Sequence, residues 1–342
     1  MFADNTVFIV GAGASAEFNL PVGSALMDTI KQNSNFRIEY DLREGVRAIY
    51  DELRERYRDG NDLRQRFESM AEINRSIDLA GSIDEFINRH YDDPIIAETG
   101  KLQIAYAIAK AEHGSLLARN KNSRDPFLWD NVNGTWIKTF TQLLFEGVRN
   151  DDVEQVGNNI TIIVFNYDRC IEHYLTEAII KTFRGIDRQK ARQIVDQINI
   201  IHPYGSLGRL DVHPFGDEVA SHRLRAMSES IVTWSESVVS ETAQQIEEAM
   251  LSASTLVFLG FAFAPQNMDL LAPDRMRHSS MEPMEIYATG YGYDDVIDRR
   301  LKRRIINLYS MQSDITNEES VHIQYEMKCA KFIQSHSMAL VK

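Results

Sequence analysis

Five short runs of consecutive apolar residues, each bounded by turn-forming residues, set what this chain can fold into. They lie at 6–10, 160–165, 197–201, 255–259 and 285–288 and are rich in Val, Ile, Leu and Phe. A sheet with one face in water needs polar residues at alternate positions. Runs without that alternation suit strands buried on both faces, as in parallel α/β sheets. Between them the apolar spacing turns helical, as at Ile171, Tyr174, Leu175 and Ala178, and across 242–251 before the fourth run. The alternation predicts an α/β fold with a Rossmann-like, doubly wound, mainly parallel sheet. One interval breaks it, because 24–159 carries almost only helical patterns. Leu102, Tyr106 and Ala109, then Trp136, Ile137, Phe140, Leu143 and Leu144, recur at the three-and-four spacing of packed helices. A large helical insertion is expected there, with charge runs such as Arg54–Glu55–Arg56 forming solvated helix faces.

Composition narrows the function classes. The chain of 342 residues carries a net charge of −13, which repels polyanions at long range and argues against direct nucleic-acid or anionic-membrane binding. Its 2 cysteines, Cys170 and Cys329, are spaced neither as a metal site nor as a redox pair, so no metal is expected. The start carries Asp4 where a signal peptide would be basic. The longest apolar stretch, 253–264, is short of the roughly 20 residues that a membrane helix needs. A cytoplasmic protein is the expectation.

Four motifs point to chemistry. The first apolar run passes directly into Gly11–Ala12–Gly13–Ala14–Ser15–Ala16, where small residues let backbone amides approach a diphosphate and the helix start adds a favourable field. Pro21 and Gly23 then interrupt what would be a continuous crossover helix, so Leu20–Pro21–Val22–Gly23 reads as part of a binding loop. The second run ends in Asn166–Tyr167–Asp168, at the carboxyl end of a strand, where open parallel sheets bind ligands. Asn166 can turn the chain there and Asp168 can cap the following helix. The third ends in His202 and then Pro203–Tyr204–Gly205–Ser206, and a histidine so placed can act as a general base. The fourth ends in Gly260, which permits close backbone approach, with Asn267 beyond it. A dehydrogenase would instead carry an acidic residue about 20 positions after the glycines, and Glu39 or Asp41 after 36–38 imitates that.

In this order the four motifs resemble the NAD-binding motifs of the sirtuin superfamily, in particular its Sir2-like, NAD-hydrolysing branch of bacterial antiphage defence systems. Gly81–Ser82–Ile83–Asp84–Glu85–Phe86–Ile87 is similar to a helical-insert signature of that branch. The resemblance spans roughly residues 6–290. The chain departs from the deacylases, which carry a zinc ribbon of paired cysteines and a Phe–Arg pair where Gly23 and Ser24 stand here. In many relatives the catalytic histidine directly precedes the glycine, a place held by Tyr204, so casting His202 as the base assumes a two-residue displacement. His213 and His222 are the other candidates.

The resemblance implies cleavage of NAD, as substrate, to nicotinamide and ADP-ribose, depleting the nucleotide during infection. On that basis Asn166 positions the ribose or the attacking water, His202 is the base and Asp168 contacts the carboxamide. Gly11, Ala12, Gly13 and Ser15 hold the diphosphate with Pro21 and Ser206 beside them, while Gly260 and Asn267 follow the adenosine half. The domains expected are 1–23 with 160–290 as the NAD-binding unit, 24–159 as an inserted helical subdomain, and 291–342 as a carboxyl-terminal helix and strand suited to oligomerisation. The branch also implies a silent state, homo-oligomers and a partner ATPase, helicase or other defence protein. A sensor of NAD or ADP-ribose without turnover, a deacylase and a dehydrogenase are the alternatives.

Overall fold

The computed structural model describes residues 1–119, 127–237, 241–275, 284–309 and 316–342. The apolar runs form strands β1 (Thr6–Val10), β4 (Ile160–Val164), β5 (Asn199–Ile201), β6 (Thr255–Leu259) and β7 (Glu285–Thr289), and β8 (Val321–Gln324) joins them. The six make one parallel sheet in the order β5-β4-β1-β6-β7-β8. Ranked along the chain, this is the 3-2-1-4-5-6 order of a Rossmann-like doubly wound fold, whose direction of winding reverses between β1 and β6. Alternate side chains of each strand enter different layers. Val7, Ile9, Ile163, Leu256 and Phe258 face one core, and Phe8, Val10, Ile162, Val164, Val257 and Leu259 face the other. Both faces are covered, which is why β1, β4 and β6 carry apolar residues on consecutive positions.

The segment between β1 and β4 is mainly helical, with Gly23–Asn33, Arg47–Arg56, Gly60–Ser76, Ile83–Arg89, Pro94–Gly114 and Trp136–Phe145. Several of these helices pack directly on the sheet, while Arg47–Arg56 packs on its neighbours through Ile49 and Leu53. Leu26, Ile30, Ile73, Phe86 and Ile104 share a core with Val7 and Ile9, while Trp136, Ile137 and Phe140 pack on the opposite face with Phe8. Asp93 caps the long helix through Ile95 and Ile96, and Ser82 caps Ile83–Arg89 through Glu85 N.

Two local expectations change. The stretch at 36–41 forms no strand of the main sheet. Arg37–Ile38 and Leu42–Glu44 make a separate exposed hairpin, β2 and β3, and Asp41 is tied to Arg47 at 3.1 Å, so the dehydrogenase-type acid is not beside the glycines. Gln197 ends the helix Arg188–Gln197 rather than opening β5. The carboxyl-terminal segment supplies the sixth strand and a helix, Cys329–Leu340, whose Phe332, Ile333 and Leu340 enter the core beside Phe2 and Phe8. Among the described residues no helix is long and apolar enough to cross a membrane.

The β1 and β6 ends meet backbone to backbone. Gly11 N donates to Leu259 O and Gly13 N to Gly260 O, both at 2.9 Å. A Cβ on Gly260 would lie 2.1 Å from Ala14 N, and Gly260 has a φ of +57°. Gly260→Ala is therefore expected to cost at least about 2 kcal/mol, from left-handed backbone strain and steric displacement together, measured as a lowered denaturant midpoint. An unchanged midpoint would show that the loops separate without cost.

Candidate active site at the switch point

The ends of β1, β4, β5 and β6 bring the four sequence motifs together. After β1 the chain makes a single turn, Ala12–Ser15, and a 3-10 turn, Ala16–Phe18, then breaks at Asn19, whose φ is +67°, before helix Gly23–Asn33. The interruption expected from Pro21 and Gly23 is present. Trp136 Nε1 donates to Ala14 O at 3.0 Å and fixes the turn from the opposite face.

Asn166 follows β4 and is buried. Its Nδ2 donates to Gly11 O at 3.1 Å and Ser15 Oγ at 2.8 Å, tying β4 to the glycine turn. Among the described residues its Oδ1 is buried with no hydrogen-bond partner. An amide oxygen left unbonded in a buried site costs about 1–3 kcal/mol, so one held there by two bonds through its own nitrogen has the form of a ligand-facing acceptor. Asp168 Oδ1 accepts from Cys170 N at 3.1 Å at the start of helix Cys170–Thr182, which is the capping use open to it. Burial pushes its carboxyl upward, and bonds from Cys170 and Ser15 oppose that rise.

His202 is not an uncommitted base. Its Nδ1 lies 3.2 Å from the carbonyl of Asn166 and its Nε2 2.7 Å from Glu172 Oε1. A carbonyl and a carboxylate both call for a ring N–H, so this geometry suits an imidazolium. Burial lowers the histidine, but the charge and hydrogen bond of Glu172 outweigh it and the value is raised. Glu172 shifts the other way, because His202 outweighs the burial that would raise it. His202 therefore holds the Asn166 peptide in place. Tyr204 donates to Asn267 Oδ1 at 2.7 Å, and Tyr167 donates to Asp84 of the helical segment, whose carboxyl is pushed up to about 6 by burial against the lowering effect of Tyr167. His213 lies on the Arg169 side, where its carbonyl accepts from Arg169 Nη1.

A cavity of about 440 Å³ opens on the other side of the seam, toward β7 and β8. Ala12, Gly13, Gly260 and Phe261 form its inner wall, Tyr291 and Tyr293 an aromatic side, and Lys328 and Cys329 the far end. The volume lies within the usual range for small-molecule sites. Gly11 and Gly13 do not present their amides to it, since both bond β6; their smallness instead allows the strands to approach. Thr289 Oγ1 likewise accepts from Gly260 N at 2.7 Å. Glu17 lines the cavity, yet its two oxygens accept from Trp136 N and Ala330 N, capping two helices. Among the described residues Lys328 is the cation in the wall able to meet an anionic ligand. Val22 and Gly23, not Pro21, reach the cavity, and Ser206 lies in a different one beside Glu172. Glu172, Thr289 and Lys328 were not marked by the sequence; each lies outside the four motifs and acquires its place only through strand order.

Residues 160–313 match the family model described as a SIR2-like domain, which supports a place in the Sir2-like superfamily. The match begins at β4, so the glycine turn before it joins the site through the sheet. No curated protein and no solved structure matches the chain.

The His202–Glu172 pair carries a pH signature. The raised imidazole contributes fully below 6.5 and loses its contribution as pH rises through its folded value. The lowered carboxylate contributes fully above 4.5 and loses its contribution as pH falls through its folded value. The pair thus stabilises most between roughly pH 4.5 and 6.5. Replacing Glu172 with Gln should lower the His202 titration, followed by NMR, because the main contribution opposing burial is then gone and only the Asn166 carbonyl and Asp168 remain to raise it; an unmoved titration would contradict the pairing.

Proposed function

We propose that the protein is an NAD glycohydrolase, cleaving NAD to nicotinamide and ADP-ribose. The observation that carries this reading is Asn166, whose unpartnered Oδ1 is held at the carboxyl end of β4 by Gly11 and Ser15, against the switch point. The SIR2-like match supports NAD as the nucleotide. In this reading the adenosine and diphosphate lie in the cavity along Gly13, Gly260 and Lys328, and the nicotinamide ribose reaches Asn166. Cleavage of the glycosidic bond passes through an oxocarbenium-like state, in which a positioned ribose and water matter more than a strong nucleophile. Asn166 Oδ1 accepts from a ribose hydroxyl or the water. His202 and Glu172 hold Asn166 by its peptide while remaining neutral as a pair, so no net positive charge opposes the developing cation. Asp168, two residues after Asn166 in the same loop, serves the carboxamide.

None of the cavity wall comes from the ends of β4 or β5. Phe261 stands between, packed against Phe165 at 5.1 Å, and Asn166 is only 6% exposed. This closed arrangement suits an enzyme kept silent until a signal, a partner or self-association opens the Phe261 loop. It equally suits a sensor that binds NAD without turnover, the second reading, which the double engagement of the His202 ring favours.

Concentrated protein incubated with NAD and no peptide is expected to release equal amounts of nicotinamide and ADP-ribose. Asn166→Ala should lower kcat by roughly 100-fold or more while leaving NAD affinity within a few fold. Phe261→Ala should raise the basal rate. Binding of NAD without release in the wild type and in Phe261→Ala would replace the hydrolase by the sensor.

A further inference from the structure

We infer that the face behind helix Cys170–Thr182 holds a second binding site, for a small molecule that carries a diphosphate. Two adjoining cavities, of about 300 and 260 Å³, share Thr176, Arg192 and Leu210 as their common wall, and neither shares a lining residue with the cavity at the glycine turn. Arg119, Arg188 and Arg192 line the first, and Arg192 faces both. The first cavity sets three arginines against one lining acid, Asp217, while in the second Arg169, Arg192 and Arg209 are balanced by Glu172, Asp196 and Asp211.

The charges there are incompletely matched. Glu177, buried, serves two guanidinium groups at once, Arg188 at 2.5 and 3.0 Å and Arg119 at 3.8 Å. Arg192 donates through Nη2 to Leu210 O at 3.3 Å, and its Nε is buried with no partner among the described residues. A buried guanidinium N–H without an acceptor is costly, and the planar fork of arginine fits phosphate oxygens two at a time. With Arg188 engaged by both oxygens of Glu177, the forks of Arg119 and Arg192 remain, and two forks suit two linked phosphates better than one. The floor of the first cavity is rigid, since His173 stacks on Phe215 at 4.3 Å and 3° and burial holds the imidazole down to about 4, hence neutral.

The position also connects to the site at the switch point. Glu172, the partner of His202, lines the second cavity, and Thr176 Oγ1 donates to the carbonyl of Glu172 at 2.7 Å. A ligand bound at Thr176 and Arg192 therefore bears on the turn that holds His202.

Calorimetry with pyrophosphate and with ADP tests the assignment on the full chain. Both should bind the wild type, and Arg192→Gln should weaken both by about tenfold or more, the loss of one charge-assisted fork. Lys328→Gln weakens anion binding only in the other cavity, so the Arg192-dependent pyrophosphate site should remain titratable in that variant. Arg119→Gln, at an exposed side chain, gives the same direction of change should Arg192→Gln not fold. Absence of pyrophosphate and ADP binding at millimolar concentration would overturn the proposal, as would a loss confined to Lys328→Gln.

Discussion

Everything at the candidate site hangs on the backbone contact between Gly11–Gly13 and Gly260. Two hydrogen bonds at 2.9 Å join the turn after β1 to the turn after β6, where the sheet reverses its winding. In an open parallel sheet the crossovers on either side of that point run to opposite faces and leave a crevice. Here the crevice is closed at its base by backbone atoms so near that even a methyl group has no room. That closeness sets the position of Ser15, which receives Asn166, and of Phe261, which divides the cavity from Asn166.

Buried ion pairs then fix the loops around the seam. Arg169 and Glu112 form a fully buried pair, with Arg169 Nη2 at 2.5 Å from Glu112 Oε2 and Nη1 bonded to the carbonyls of Gly208 and His213. This ties the long helix Pro94–Gly114 to the β4 end and to the loop after His202. Breaking such a pair leaves an uncompensated charge, a loss of roughly 3–5 kcal/mol, so both partners hold their places even if the pair adds little net stability. The His202–Glu172 pair acts in the same way one turn along. The helical segment is thus part of the site's support, and Asp84, bonded by Tyr167, brings it to the residue between Asn166 and Asp168.

The sheet was legible because strands buried on both faces cannot hide their composition. Thr6–Val10 and Thr255–Leu259 coincide with their apolar runs, and β8 was visible only as a strand-like end whose partner the sequence does not state. The hairpin at 37–44 imitated a Rossmann strand because two β-branched or aromatic residues beside an acid carry no information about which sheet they join. Asn166, Ser15 and Gly260 were legible from their places at strand ends. Glu172 was not, since a glutamate in the first turn of a helix is ordinary until β5 places His202 opposite it. Glu17 was hidden for a similar reason: it caps helices that begin at Trp136 and Cys329, far away in the chain.

The central claim is that the nucleotide lies along the β1–β6 seam. Backbone hydrogen exchange with and without NAD measures this directly. The account predicts slowed exchange in residues 11–17, 260–263 and 327–330, with little change at 37–44. Protection confined to other segments, or none at saturating NAD, would contradict it.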